Sequence, residues 1–111
     1  PDGLASGPLG MRYRVQGSSM HPTLRDGDEV VVDTEAYANA RPVVGELVLA
    51  QHPFKRSVRM IKLIARIEGD DVDGVDGSTF YLLGDNPLES EDSRGFGAIR
   101  LEAILGRVEI P

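Results

Sequence analysis

Two adjacent serines are the first residues of this chain whose type and setting could do chemistry. Ser18 and Ser19 follow Gly17 and precede residues 20–24, Met-His-Pro-Thr-Leu, after which a Gly-Asp pair leads into a β-branched run. A serine in a tight turn between two strands is exposed enough to attack a substrate, although Ser, Gly and Pro also mark ordinary turns. The turn alone leaves two alternatives, a nucleophile or a pair of serines that only satisfy backbone groups.

Lys62 is the second candidate, because it interrupts the longest apolar segment of the chain. If residues 58–68 form a strand, Lys62 shares one face with Met60 and Ile64. Apolar neighbours desolvate a lysine, disfavour its ammonium form and lower its pKa. A general base needs a shift from about 10.4 to about 7–8, which corresponds to roughly 4 kcal/mol. The alternative is a lysine whose stem packs at a strand edge while its charged end reaches water.

A neutral lysine can activate a serine without a Ser-His-Asp triad. His21 is too close in sequence to Ser19 for its ring to reach the hydroxyl easily, so we interpret it as a surface or cleft residue, and His52 shows no special pattern. The chain has no cysteine and only these two histidines, which do not have metal-ligand spacing. We therefore expect neither a metal nor a cofactor. A net charge of -6 argues against a nucleic-acid partner.

Short alternating and β-branched segments predict the elements that position these residues. The predicted strands are residues 11–15, 29–33, 46–51, 58–68, 79–83 and 103–110. Apolar residues recur every three positions in 58–68, as in a helix, but flanking strands and the missing N-cap favour a strand. Residues 34–42 read as a loop or short helical turn, and Asp73-Gly74 and Asp76-Gly77 predict a hairpin turn.

These segments predict one mainly β domain over residues 11–111. Residues 1–10 are rich in Gly and Pro, and we expect a flexible leader or a vector-derived remnant there. No apolar run approaches the ~20 residues that span a bilayer.

Four segments, in order, resemble the type I signal peptidases of peptidase family S26, which are serine-lysine proteases. Residues 17–24 (GSSMHPTL) resemble the nucleophile segment, and residues 45–48 (GELV) a Gly-Asp-hydrophobic strand. Residues 60–64 (MIKLI) resemble the lysine segment, and residues 84–97 (GDNPLESEDSRGFG) the Gly-Asp-Asn…Ser-x-Asp-Ser-Arg segment. The resemblance implies a β fold of short antiparallel strands, like that of signal peptidases and repressor C-terminal domains.

The same resemblance implies roles for individual residues. Ser19 would be the nucleophile, Lys62 the general base, and Ser90 the hydroxyl that orients the lysine amine. Asp92 and Arg94 would form an ion pair that braces the loop behind the site.

Further residues would surround this centre. Asp85 and Asn86 would support the loop, although an acidic surface loop is the alternative for Asp85. The substrate and oxyanion side would include Gly17, Ser18, Met20 and Pro22. Gly17 stands where some signal peptidases have a serine that helps to hold the oxyanion, so the backbone N–H of Ser19 is the one donor that the sequence predicts.

Within the family, the chain is most similar to nickel-type superoxide dismutase maturation proteases. Residues 84–87 (GDNP) have proline where signal peptidases often have arginine, and residues 50–53 (AQHP) are also similar. This implies a cytoplasmic serine endopeptidase that removes the N-terminal prosequence of a nickel superoxide dismutase precursor, its expected partner. The alternatives are the catalytic domain of a type I signal peptidase, a self-cleaving regulatory Ser-Lys module and a non-catalytic binding module.

Overall fold

The computed structural model describes residues 10–69 and 77–110. These residues form a single antiparallel sheet with one helical turn at its edge. The strands are β1 (Gly10–Arg14), β2 (Glu29–Asp33), β3 (Leu47–Gln51), β4 (Arg59–Glu68), β5 (Thr79–Leu83), β6 (Ile99–Arg100) and β7 (Ile104–Glu109). A short helix, α1 (Ser93–Phe96), follows β5, and a 3-10 turn, Leu101–Ala103, joins β6 to β7. The prediction of a mainly β fold is confirmed.

The order of the strands in the sheet is β1-β2-β7-β3-β4-β5-β6. Three strands therefore separate β1 from β4, which in a flat sheet would be about 19 Å apart at the usual strand spacing. Yet Arg59 on β4 donates a hydrogen bond to the Tyr13 hydroxyl on β1 over 2.9 Å. The sheet must curl to bring these strands together, as expected when strand twist accumulates across a sheet. The curl leaves a groove between β1 and the start of β4.

Two apolar clusters pack on the sheet. The first combines the serine turn with β2 and with single residues of β3 and β7, and its buried members are Val15, Met20, Leu24, Val30, Val32, Leu49 and Val108. The second is built mainly from β3, β4 and β5, and its buried members are Val48, Ala50, Met60, Ile64, Phe80, Leu82 and Ile99. The serine turn is thus anchored in one cluster, while the lysine strand contributes to the other.

The strand predictions are confirmed, with small corrections at their ends. Strand β1 begins at Gly10, which the sequence had placed in the leader, and β3, β4 and β7 each begin one residue later than predicted. The choice of strand over helix for residues 58–68 is confirmed, and Val58 itself lies just outside β4. Strand β6 and helix α1 were not predicted. The leader over residues 1–9 lies outside the described residues, and so does the predicted hairpin turn at Asp73-Gly74 and Asp76-Gly77 apart from Gly77.

Candidate active site

Two buried apolar side chains anchor the serine turn in the core. Met20 and Leu24 are each only 2% exposed, and the Leu24 N–H donates to the Met20 carbonyl at 2.9 Å. Gly17 has a φ of 84°, a left-handed conformation that favours glycine, and its N–H donates to Asp26 Oδ1 at 2.8 Å. These contacts fix the backbone on both sides of Ser19, which is itself half-buried.

The loop after β5 is hydrogen-bonded to the same turn. The Asn86 N–H donates to the Ser19 carbonyl at 2.9 Å, and the Asn86 side-chain amide donates to the Ser18 carbonyl at 3.0 Å. The Thr23 hydroxyl bonds to the Asp85 carboxylate. Asp85 and Asn86 therefore bind the serine turn directly.

Lys62 lies on β4 between Met60 and Ile64, and it is only 3% exposed. Its amine donates to Ser90 Oγ at 3.1 Å. Burial lowers the pKa of Lys62 from its ordinary value, while the negative charges of Asp92 and Glu91 oppose this and the positive charge of Arg94 adds to it. At a given pH, the neutral form of Lys62 is therefore more populated than that of an exposed lysine. In this form the amine nitrogen has a free lone pair.

Ser90 connects the Lys62 amine to Asp92 by hydrogen bonds. The Ser90 hydroxyl donates to Asp92 Oδ2 at 3.1 Å, which commits its single proton. The oxygen can therefore only accept from Lys62. Because one N–H of the amine points at Ser90, the orientation of Lys62 is set by Asp92 through Ser90.

Asp92 is buried, and hydrogen bonds from four groups saturate its carboxylate. Besides the bond from Ser90, it accepts from the Gly84 N–H at 2.9 Å and from the Arg94 N–H at 3.0 Å, which caps α1. The Arg94 guanidinium donates from Nε at 3.0 Å and from Nη2 at 2.5 Å. Burial alone would raise the pKa of Asp92, but the bonds from Arg94, Gly84 and Ser90 outweigh it and hold the pKa well below its ordinary range.

Ser19 and Lys62 line one open cavity of about 410 Å³. Within the described residues, no hydrogen bond joins Ser19 Oγ to Lys62 Nζ. Glu89 and Glu91 line the cavity too, and Tyr13 and Arg59 lie in its wall. Catalytic hydrogen bonds are often long before substrate binds, so a shared cavity without direct contact is compatible with a nucleophile and its base.

The remaining candidates are less central. Ser18, His21 and Pro22 are exposed, and none of the three lines the cavity. The His21-Pro22 peptide is cis. Met20 lines the cavity while it anchors the turn.

Three residues near the site, Gly84, His52 and Glu91, make close contacts that the sequence reasoning did not predict. A Cβ on Gly84 would lie 2.8 Å from the Ser19 carbonyl oxygen and 2.7 Å from Ser90 Cβ, so glycine is required here for close approach. His52 is buried and bonds to Glu91, which lines the cavity. The Gly-Asp-Asn resemblance included Gly84, but the pairing of His52 with Glu91 has no signal in the sequence.

Comparison with known proteins gives the class of protein first. The family profile of signal peptidase, peptidase S26, matches residues 5–81 and 73–111. A mitochondrial inner membrane protease subunit 1 of Xenopus tropicalis is 31% identical over 104 residues, a match that covers 83% of this chain and 62% of the relative. The chain therefore belongs to peptidase family S26, the signal peptidase family.

Two further relatives show how wide the similarity is. Signal peptidase I of Bacillus caldolyticus is 27% identical, with 87% of this chain and 76% of the relative matched. Thylakoidal processing peptidase 1 of Arabidopsis thaliana is 26% identical, with 84% of this chain but only 39% of the relative matched. The chain thus spans less than two thirds of the frog and plant relatives. None of the helices in residues 10–69 and 77–110 has the length and apolar character to span a membrane.

Proposed function

We propose that this chain is a serine endopeptidase in which Ser19 is the nucleophile and Lys62 the general base. One observation carries the proposal: the buried Lys62 amine is oriented by Ser90 and opens into the cavity that Ser19 lines. A desolvated amine with a lowered pKa can accept a proton near neutral pH, which an ordinary lysine cannot do efficiently. Membership of peptidase family S26 supports the same chemistry.

The proposed reaction has two halves. Neutral Lys62 takes the Ser19 proton as Oγ bonds to the scissile carbonyl carbon, and the lysine then gives that proton to the leaving amine as the C–N bond breaks. Water attacks the resulting ester, Lys62 takes the proton of the water, and the proton returns to Ser19 as the acyl product leaves. Lys62 begins and ends each half neutral, so the protons balance.

The developing oxyanion needs donors beside Ser19. Within the described residues, the Ser19 N–H donates no hydrogen bond to the protein, which keeps it available for the oxyanion. One such donor contributes about 3 kcal/mol to transition-state stabilisation. An extended substrate would lie along the groove between β1 and β4 and form main-chain hydrogen bonds with a strand edge.

For the substrate, we propose the precursor of a nickel superoxide dismutase, cut once to remove its N-terminal prosequence. The resemblance of residues 84–87 and 50–53 to maturation proteases of that type supports this choice. A secretory preprotein is the second candidate, because several relatives are named signal peptidases.

The test presents both substrates to the same enzyme preparation, the dismutase precursor in detergent-free buffer and a preprotein in detergent micelles. Mass spectrometry of the products identifies the bond that is cut, and Ser19→Ala is the control for contaminating proteases. We expect a single cut in the dismutase precursor, absent with the Ser19→Ala variant. Cleavage of the preprotein alone would refute the maturation function and establish the second candidate. Cleavage of neither would refute both.

A further inference from the structure

A buried histidine connects the loop before the lysine strand to the loop after β5. His52 follows β3 and is 4% exposed, and its Nε2 lies 2.6 Å from Glu91 Oε1. The two residues are 39 positions apart in the sequence. Glu91 stands between Ser90 and Asp92, the two residues that orient the Lys62 amine.

The ring nitrogens of His52 have different partners, which fixes the tautomer. The Phe54 N–H donates to His52 Nδ1 at 3.0 Å, so Nδ1 must be the unprotonated nitrogen. The ring proton is then on Nε2, from which it is donated to Glu91. His52 therefore connects a backbone N–H in its own loop to a carboxylate in the opposite loop.

The ring cannot easily turn away from this arrangement. Phe96 of α1 meets it edge-on with ring centroids 5.0 Å apart, and Phe54 does the same at 6.2 Å. The backbone N–H of His52 donates to the Val58 carbonyl at 2.9 Å, just before β4 begins. Lys55 also reaches Glu91, at 3.1 Å, but its side chain is 55% exposed, so water competes with that contact.

We propose that His52 is a positioning residue, which through Glu91 holds residues 90–92 beside the Lys62 amine. The proposal rests on the proposed function in that Lys62 is taken as the general base. His52 does not contact the reacting atoms itself. It keeps the Ser90 hydroxyl and the Glu91 carboxylate at fixed distances from Lys62, so the orientation and the charge environment of the base depend on it.

Two near-isosteric variants of His52 test the hydrogen bonds of its two ring nitrogens separately. In His52→Gln, the side-chain amide reaches the position of Nε2 and can still donate to Glu91. In His52→Asn, the shorter amide can accept from the Phe54 N–H but cannot reach Glu91. Lys55→Gln serves as a comparison that alters only the exposed contact to Glu91.

The first readout is steady-state proteolysis of the substrate identified above. We expect His52→Asn to lower kcat by roughly 10- to 100-fold with little change in KM, since small displacements of catalytic groups have effects of that size. His52→Gln should retain most of the wild-type kcat, and Lys55→Gln should lose less than His52→Asn. Equal losses in the Gln and Asn variants would overturn the proposal.

The second readout needs no substrate and is independent of whether the enzyme is a protease. NMR titration of the Lys62 side chain gives its pKa in each variant, and the circular dichroism melt shows that each is folded. The charged groups around the amine are Asp92, Glu91 and Arg94. The Glu91 side chain is already 57% exposed, and in His52→Asn only the contact with exposed Lys55 would still hold its carboxylate. The carboxylate could then move away from the amine, and the pKa of Lys62, which Glu91 raises, should fall below that of the wild type.

The two readouts can refute the positioning role and the proposed function independently. A Lys62 pKa in folded His52→Asn that equals or exceeds the wild-type value would overturn the positioning role, even in an active protease. A wild-type enzyme that cuts neither substrate would refute the proposed function, while the NMR titration would still decide the role of His52.

Discussion

Substitution of Gly84 by alanine tests whether the positions of Ser19 and of Ser90, which bonds to Lys62, depend on the close contact that both make with Gly84. The added methyl carbon would lie 2.8 Å from the Ser19 carbonyl oxygen and 2.7 Å from Ser90 Cβ, and it would overlap Ser90 Oγ. The φ of Gly84 is not left-handed, so the effect is steric and not a matter of backbone strain. Because the methyl group would be too close to both Ser19 and Ser90, these neighbours must shift to accommodate it.

The expected cost of such overpacking is about 1–3 kcal/mol in unfolding free energy. The effect on catalysis should be larger, since a displacement near 1 Å at the catalytic groups can lower the rate about 100-fold. We therefore expect Gly84→Ala to fold at low temperature and yet to cleave the substrate at least about 100-fold more slowly than the wild type.

Two other glycines provide matched controls. A Cβ at Gly106 would lie 2.7 Å from the Asp33 carbonyl oxygen and 2.7 Å from Val32 Cγ1, a tight contact in the sheet that involves neither Ser19 nor Ser90. A Cβ at Gly95 would meet nothing within 4 Å. Urea denaturation and proteolysis rates of all three variants separate stability from catalysis. If Gly84→Ala and Gly106→Ala lose stability and activity in the same proportion, the close contact at Gly84 has no specific role in the site.

Four further substitutions test the residues of the site itself. Ser19→Ala should abolish proteolysis while Ser18→Ala retains most of it, as peptide-cleavage assays will show; an inactive Ser18→Ala would transfer the role of nucleophile. Lys62→Met should abolish proteolysis and yet raise the unfolding free energy at pH 7, because the lowered pKa means that the charged amine destabilises the fold below about pH 10. Urea denaturation should show that gain shrinking as the pH rises towards about 10, and a constant gain would contradict the reasoning. Asp92→Asn should lower stability by about 1–3 kcal/mol at pH 7. Because the folded-state pKa of Asp92 is depressed, its stabilisation exists above about pH 4 and disappears as the pH falls, so acid titration should reduce the difference from the wild type.

Most of the sheet could be predicted from the sequence because its strands are encoded locally. The burial of Lys62 followed from simple alternation along β4, where Met60, Lys62 and Ile64 point to one side and are buried. Strand β6, Ile99–Arg100, could not be predicted, since two residues carry no periodicity. Helix α1 is a single turn that begins at the Asp92 cap, and Asp92 is fixed by contacts with Gly84 and Ser90 more than by helix propensity.

The candidate site was only partly predictable for a related reason. Residue types and the family resemblance singled out Ser19, Lys62 and Ser90, but the chain of bonds among them is a property of the packed structure. His52 appeared unremarkable in the sequence because its partner, Glu91, is distant and belongs to a loop that reads as acidic surface. Gly84 belonged to the Gly-Asp-Asn resemblance, but only its close approach to Ser19 and Ser90 shows why no side chain fits there.

The placement of the serine turn and the lysine strand in different apolar clusters has a consequence for the newly synthesised chain. Met20 anchors the serine turn in the first cluster, while Lys62 lies between residues of the second, and the loop at Asn86, which follows β5, is hydrogen-bonded to the serine turn. A partly folded molecule in which this loop has not docked on the serine turn would lack the arrangement that the proposed dyad requires. Proteolytic activity would then require the complete fold, so nascent and partly unfolded copies would not digest one another.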